Sequence, residues 1–151
     1  MEQVSDKSSF QITLQSDNED DLSEYWQGQC WYLYNELSRT LPEGSIKPLT
    51  LESSTGERAD IITLFSQAII IEITAKIFVE TVFEAIKNWH YYRPEANIEI
   101  KCPDGSTIKI TKQLIPTLQK YFDENQKYFD ENPQLSVCEA VSLLKTLLTN
   151  F

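Results

Sequence analysis

Residues 60–93 read DIITLFSQAIIIEITAKIFVETVFEAIKNWHYYR, the longest apolar-rich segment of the chain. The fold turns on whether it is one helix or a strand followed by a helix. Ile61, Leu64, Phe65, Ala68, Ile71, Ala75, Phe78, Val82, Ala85, Ile86 and Trp89 recur in steps of three and four, which predicts one long helix opening at an Asp60 cap. The β-branched run Ile69-Ile70-Ile71 argues the other way, because such side chains lose rotamer freedom in a helix. An initial strand, or a kink near Ser66-Gln67, is the alternative. Pro94 stops the segment, since the residue before a proline is pushed out of helical geometry.

A membrane span needs about 20 consecutive, mostly uncharged residues. Here Glu72, Lys76, Glu80, Glu84 and Lys87 return at helical spacing as a polar stripe, so the segment is amphipathic. An apolar surface this wide wants both a sheet and a further partner.

Outward from this segment, the 151 residues suffice for one sizeable core. Thirteen Lys+Arg against 23 Asp+Glu leave a net charge of −10, which argues against nucleic acid or an anionic membrane as partner. The N-terminus has no apolar core of a signal peptide, so residues 1–9 are expected to be a disordered leader and the protein cytoplasmic. Cys30, Cys102 and Cys138 are far apart and unclustered; they are expected to be small buried hydrophobes in a reducing compartment.

Phe10–Ser16 alternates as a half-buried strand with Phe10, Ile12 and Leu14 inward. The acidic run Asp17–Asp21 is placed to cap the helix that follows. That helix, Leu22–Leu41, repeats Trp26, Cys30, Leu33, Leu37 and Leu41 on one face and ends at Pro42-Glu-Gly44. Its rings Tyr25, Trp31, Tyr32 and Tyr34 exceed what one stripe needs. Ser45–Ser53 reads as a weaker strand, with Pro48 at an edge or bulge.

Ile98–Cys102 and Ile108–Ile110 alternate around Pro103-Asp-Gly105, a hairpin. Its hydrophobic register selects a three-residue loop that sets Ile100 against Ile108, Ile98 against Ile110 and Glu99 against Lys109.

The heptad Gln119-Lys-Tyr-Phe-Asp-Glu-Asn125 is repeated at once as residues 126–132. On a continuous helix this stacks Tyr121 over Tyr128 and Phe122 over Phe129. Either it lengthens a surface helix or it forms an aromatic ledge for a partner. Pro133 breaks the pattern, and Ser136-Val-Cys-Glu139 is a capping box opening a terminal helix.

The expected fold is α+β: a small four-stranded mixed sheet, βαβαββ, with the first two strands parallel through a crossover. A long helix and a second helix cover it. Residues 10–113 form the domain and 114–151 a helical extension. No residue set announces catalysis. His90, the one histidine, suits a surface or capping role, and no phosphate loop, GxSxG or HExxH occurs.

Residues 56–110, with Asp60-Ile-Ile-x-Leu64, the Ala/Ile/Val-rich segment ending in Trp89, Ile98-Glu-Ile-Lys101 and Pro103-Asp-Gly-Ser-Thr107, resemble the effector-associated constant component family. The likeness extends over roughly residues 10–113 if the preceding strand-helix-strand is included. It implies a non-enzymatic adaptor or scaffold of a bacterial conflict system, partnered with an effector such as a protease or nucleotide-signalling module, or with itself. The expected partner surface comprises Tyr25, Trp26, Trp31, Tyr34, Trp89, Tyr91, Tyr92, Tyr121, Phe122, Tyr128 and Phe129, with no catalytic, cofactor or metal residue. A small-molecule or nucleotide sensor is the first alternative. An enzyme subunit holding a divalent metal on acidic residues is the second.

Overall fold

The computed structural model describes residues 9–17, 23–55 and 60–148. The expected leader over 1–8, most of the acidic run and the residues 56–59 lie outside them. Strand β1 (Ser9–Ser16) leads into helix α1 (Glu24–Thr40), then strands β2 (Ile46–Thr55) and β3 (Asp60–Glu72). A helical run follows: α2 (Ala75–Ile77), a π-helical turn (Phe78–Val82) and α3 (Phe83–Tyr91). Strands β4 (Ala96–Lys101) and β5 (Thr107–Ile110) then precede helices α4 (Leu114–Glu124), α5 (Gln126–Glu131) and α6 (Val137–Leu148).

The decisive segment is therefore strand then helix, and Asp60 is no helix cap. Thr74 takes that role, its hydroxyl accepting from the Ile77 N–H at 3.4 Å. The β-branched run prevails because β1 offers it a pairing edge: Ile12 lies opposite Ile69 and Phe10 opposite Ile71. Buried on that face, these isoleucines gain cross-strand packing that a helix would not supply. Glu72 ends the strand, and the charged stripe survives downstream in Lys76–Glu80 at 2.9 Å and Lys87–Glu84 at 3.1 Å.

Among the described residues the sheet has five strands in the order β2-β3-β1-β4-β5, and every neighbouring pair is antiparallel. This corrects the four-stranded mixed expectation. β1 and β2 do run in the same sense, as a crossover requires, but β3 is interposed between them and no parallel ladder forms. β3 and β4 likewise run in the same sense with β1 between. Two interleaved crossovers of this kind make the ferredoxin-like split βαβ arrangement, here extended by β5. Pro48 sits on edge strand β2 beside a bulge at Leu49/Thr50, where its missing N–H is least costly.

Phe10, Ile12, Leu14, Ile69, Ile71, Ile98, Ile100 and Ile110 form the buried face of the sheet, under Trp26, Cys30, Leu33 and Leu37 of α1 and Val82, Ile86 and Trp89 of the second helical run. The π turn explains why Phe78 and Phe83 both reach this core. In an α-helix residues five apart are about 140° out of phase, and the widened turn brings them back toward one side. Both then meet Phe122, with ring centroids at 6.3 and 4.9 Å.

Phe122, Phe129, Val137, Val141 and Leu144, from residues 114–148, belong to the same core cluster. The Ser136 capping box forms as expected, with Glu139 N–H to Ser136 Oγ at 3.0 Å and Ser136 N–H to Glu139 Oε1 at 2.9 Å. The hairpin also keeps its predicted register, Ile100 opposite Ile108 and Ile98 opposite Ile110, with Gly105 at φ 94°. At α1 the cap is Ser23, which accepts from Trp26 N–H at 3.1 Å, while Asp17 instead accepts from Asn97 Nδ2 at 3.0 Å.

The cysteines depart from expectation. Cys102 and Cys138 are joined by a disulfide, and Cys30 is a buried cysteine outside it. The reason is tertiary: the capping box starts α6 beside the end of β4. Among the described residues, no helix is long and apolar enough to cross a membrane.

Candidate functional site: an aromatic groove between α1 and α3

α1 packs against both β3 and α3. The outer seam between the two helices opens into a groove of about 410 Å³ lined by Tyr32, Leu33, Glu36, Ala85, Asn88, Trp89, Tyr92 and Arg93. Helical spacing builds it. Tyr32 and Glu36 are four apart on one face of α1, while Trp89 lies in the last turn of α3 and Arg93 in the segment just after it, its Nη1 donating back to the Trp89 carbonyl.

Trp89 forms the floor. Its ring is 97% removed from solvent, since only 3% is exposed, and rests 5.8 Å from the buried Trp26 ring. Its indole N–H donates to the Gln29 carbonyl at 2.9 Å, which pins the two helices together. Arg93 crosses above it. The guanidinium lies 5.0 Å from the Trp89 ring and 5.3 Å from the Tyr32 ring, a stacked cation–π arrangement. Its Nε donates to Gln29 Oε1 and its Nη1 donates to the Trp89 carbonyl, the latter at 3.0 Å.

Burial lowers the Arg93 pKa from its ordinary value, with Tyr25, Tyr32 and the Glu95 carboxylate opposing that shift. An arginine stays charged under such a shift. Glu95 interacts with it only at longer range, and among the described residues no carboxylate forms a close ion pair with it. The groove thus holds a positioned cation on an aromatic bed, walled by Tyr32 (55% exposed) and Tyr92 (76% exposed). Tyr91, equally exposed, meets Tyr92 edge-on at 5.0 Å.

The expected partner residues divide on burial. Tyr25, Tyr91, Tyr92 and Tyr128 are exposed, and Trp31, Tyr34 and Tyr121 are half-buried. Trp26, Phe122 and Phe129 are core side chains and offer no partner surface. Trp89 is core as well, except for the face that floors the groove. Of the expected set, the groove unites only Trp89 and Tyr92. It adds Tyr32, Glu36, Asn88 and Arg93, which the aromatic inventory passed over. Their signal was the four-residue spacing of Tyr32 and Glu36 on α1 and the position of Arg93 just past the end of α3, before Pro94.

The duplicated heptad does not build an aromatic ledge. Each copy ends its own short helix: Asn125 Nδ2 donates to the Tyr121 carbonyl and Asn132 Nδ2 to the Tyr128 carbonyl, both at 2.8 Å. The break at Asn125 removes the Tyr121-over-Tyr128 stack and turns Phe129 into the core, 6.0 Å from Phe122 and 6.3 Å from Tyr121.

His90 is buried rather than at the surface. Its Nε2 lies 3.2 Å from the Ala96 carbonyl, tying the end of α3 to β4. A larger hollow, about 710 Å³, lies between α3 and α4, but its Lys87 is engaged by Glu84 and Gln119. Among the described residues no three His, Cys, Asp or Glu side chains converge on a metal position. No family model, curated protein or solved structure matches the chain.

Proposed function

We propose that this chain is a non-enzymatic protein-interaction adaptor that engages a partner protein through the α1–α3 groove and also associates with itself. The observation that carries the first part is the Tyr32–Arg93–Trp89 stack with Tyr92 as its exposed wall. Tyr, Trp and Arg dominate binding hot spots because they bury large area at small entropic cost and add directional donors. Arg93 is already oriented by Gln29 and the Trp89 carbonyl, so little ordering remains to be done on binding. The partner segment this favours supplies an apolar group against the exposed Tyr32 and Tyr92 rings and an acceptor for the guanidinium.

The family resemblance of residues 56–110 sets the context of the proposal: a cytoplasmic component of a bacterial conflict system, whose partner is an effector such as a protease or a signalling module. Thiol titration on freshly lysed cells tests the compartment, since a stable disulfide between Cys102 and Cys138 favours an oxidising one.

Titration calorimetry against the products of neighbouring genes tests the adaptor. Tyr92→Ala is expected to weaken the interaction by about 30-fold, the equivalent of about 2 kcal/mol, without changing stability. Binding unchanged by Tyr92→Ala and Arg93→Ala, or no binding to any neighbour, overturns it. The groove volume also falls in the range of small-ligand sites, roughly 300–1,000 Å³. A planar anionic ligand stacked beside Arg93 is therefore the second reading. A thermal shift with nucleotides that disappears in Arg93→Ala would favour it.

A further inference from the structure

The hollow of about 710 Å³ between α3 and α4 has a floor and a rim of different chemistry. His90 forms the floor and is only 4% exposed. Its Nε2 lies 3.2 Å from the Ala96 carbonyl. A carbonyl oxygen can only accept, so Nε2 carries the proton and the Nδ1 of the neutral ring is an acceptor. Among the described residues Nδ1 has no hydrogen-bond partner, yet only the Trp26 indole N–H is both unpartnered and sealed from water. Nδ1 therefore keeps an opening, and it gives onto the hollow that the ring lines.

The rim supplies charge. Lys87 is neutralised by Glu84 at 3.1 Å and also donates to Gln119. Lys112, between β5 and α4, is exposed and forms no ion pair among the described residues. One uncompensated positive charge therefore stands at the mouth of the hollow, on a chain whose net charge is −10. That balance suits a single negative charge, because a dianion would set its second charge against Glu84 and the field of the whole chain.

Between floor and rim the lining is apolar or aromatic. Ile115, Pro94 and Pro116 supply aliphatic walls. Tyr91 is 76% exposed, so a flat ligand can stack on its ring. A mostly apolar hollow with a few placed polar groups, within the roughly 300–1,000 Å³ of small-molecule sites, is the usual form of a ligand pocket.

We infer that this hollow binds a small planar monocarboxylate carrying a ring N–H. The N–H donates to His90 Nδ1, the carboxylate meets Lys112, and the flat body lies against Tyr91 and Ile115. Neither Arg93 nor Tyr92 lines the hollow, so the site stands apart from the α1–α3 groove and goes beyond the adaptor reading.

His90 is the one histidine of the chain, so its two ring nitrogens can be followed by proton–nitrogen NMR of the full chain without assignment ambiguity. The free protein is expected to show a protonated Nε2 and an unprotonated Nδ1. Titration with indoleacetate and with pyrrolecarboxylate should move the Nδ1 resonance saturably. N-methylindoleacetate, which lacks the donor, and indoleacetamide, which lacks the charge, should each bind about 5–10-fold more weakly than indoleacetate. Lys112→Ala should weaken indoleacetate by a similar factor and leave indoleacetamide unaffected, with unchanged circular dichroism because Lys112 has no ion pair to lose. No saturable movement of Nδ1 with either acid overturns the inference. So does a free ring protonated at Nδ1, or indoleacetate binding that neither N-methylation nor Lys112→Ala diminishes. Tyr92→Ala and Arg93→Ala should leave these titrations unchanged, so loss of partner binding at the groove and loss of this ligand are read separately.

Discussion

Cys138, in the first turn of α6, is bonded to Cys102, just beyond the end of β4, across 36 residues of sequence and with Cα atoms 5.9 Å apart. The bond fastens the helix that follows the duplicated heptad to the hairpin that follows α3. It therefore closes a loop containing β5, α4 and α5.

Closing a loop of this length restricts the unfolded chain. The Cys102→Ser/Cys138→Ser double variant should lose about 3–4 kcal/mol of unfolding free energy. Urea unfolding of the oxidised protein against the variant measures it, and wild type in excess reductant should coincide with the variant. Two titratable thiols at these positions in the oxidised native protein would contradict the pairing.

Phe129 is fully buried, whereas its neighbour Tyr128 is 41% exposed. Phe129→Ala should cost about 3–5 kcal/mol, and Tyr128→Ala less than about 1 kcal/mol. Equal costs in chemical denaturation would mean that the second heptad copy does not contribute to the core. Deleting residues 126–132 should likewise unfold the domain, because the first copy cannot fill the Phe129 position.

Gln67 holds a left-handed backbone angle at the bulge and is 6% exposed. Asparagine tolerates that conformation, and a β-branched residue does not. Gln67→Val should be less stable than Gln67→Asn by on the order of 1–2 kcal/mol. The reverse order in thermal unfolding would place the bulge elsewhere.

Asp104, in the β4–β5 loop, accepts from the Ser106 N–H at 2.9 Å and from the Ser106 hydroxyl at 2.7 Å. The backbone bond first and the hydroxyl second hold its pKa below the ordinary aspartate value. A carboxyl depressed on folding stabilises the fold above its unfolded pKa, and that contribution is lost as the pH falls through the folded pKa. Carbon-detected NMR titration should show Asp104 titrating below its unfolded value and moving partway back in Ser106→Ala. No movement would assign the shift to the backbone donor alone.

Local chemistry settled much of this fold in advance. The Pro103-Asp-Gly105 loop and its register, the capping box at Ser136, the apolar stripe of α1, the edge position of Pro48 and the stop before Pro94 depend on residues near one another in sequence. Their spacing carries the physics directly. The fate of residues 60–72 does not. Their apolar pattern satisfies both a helical and an extended period, and it is antiparallel pairing with β2 and with β1, the latter about 60 residues earlier in the sequence, that selects the strand.

The candidate site divides in the same way. The excess of aromatic residues in residues 25–34 and 89–92 is visible in the sequence and points to a surface beyond the core. Which rings remain outside is decided by packing: Trp26 and Trp89 fill the space between α1, α3 and the sheet, while Tyr32 and Tyr92 stand at the rim. Arg93 becomes part of the site only because Gln29, 64 residues away, orients it. The amino-acid order by itself determined the local turns, caps and amphipathic faces, since those need only neighbours. The tertiary structure alone decided the antiparallel strand order, the Cys102–Cys138 bond and the groove, because each requires segments distant in the chain to compete for the same space.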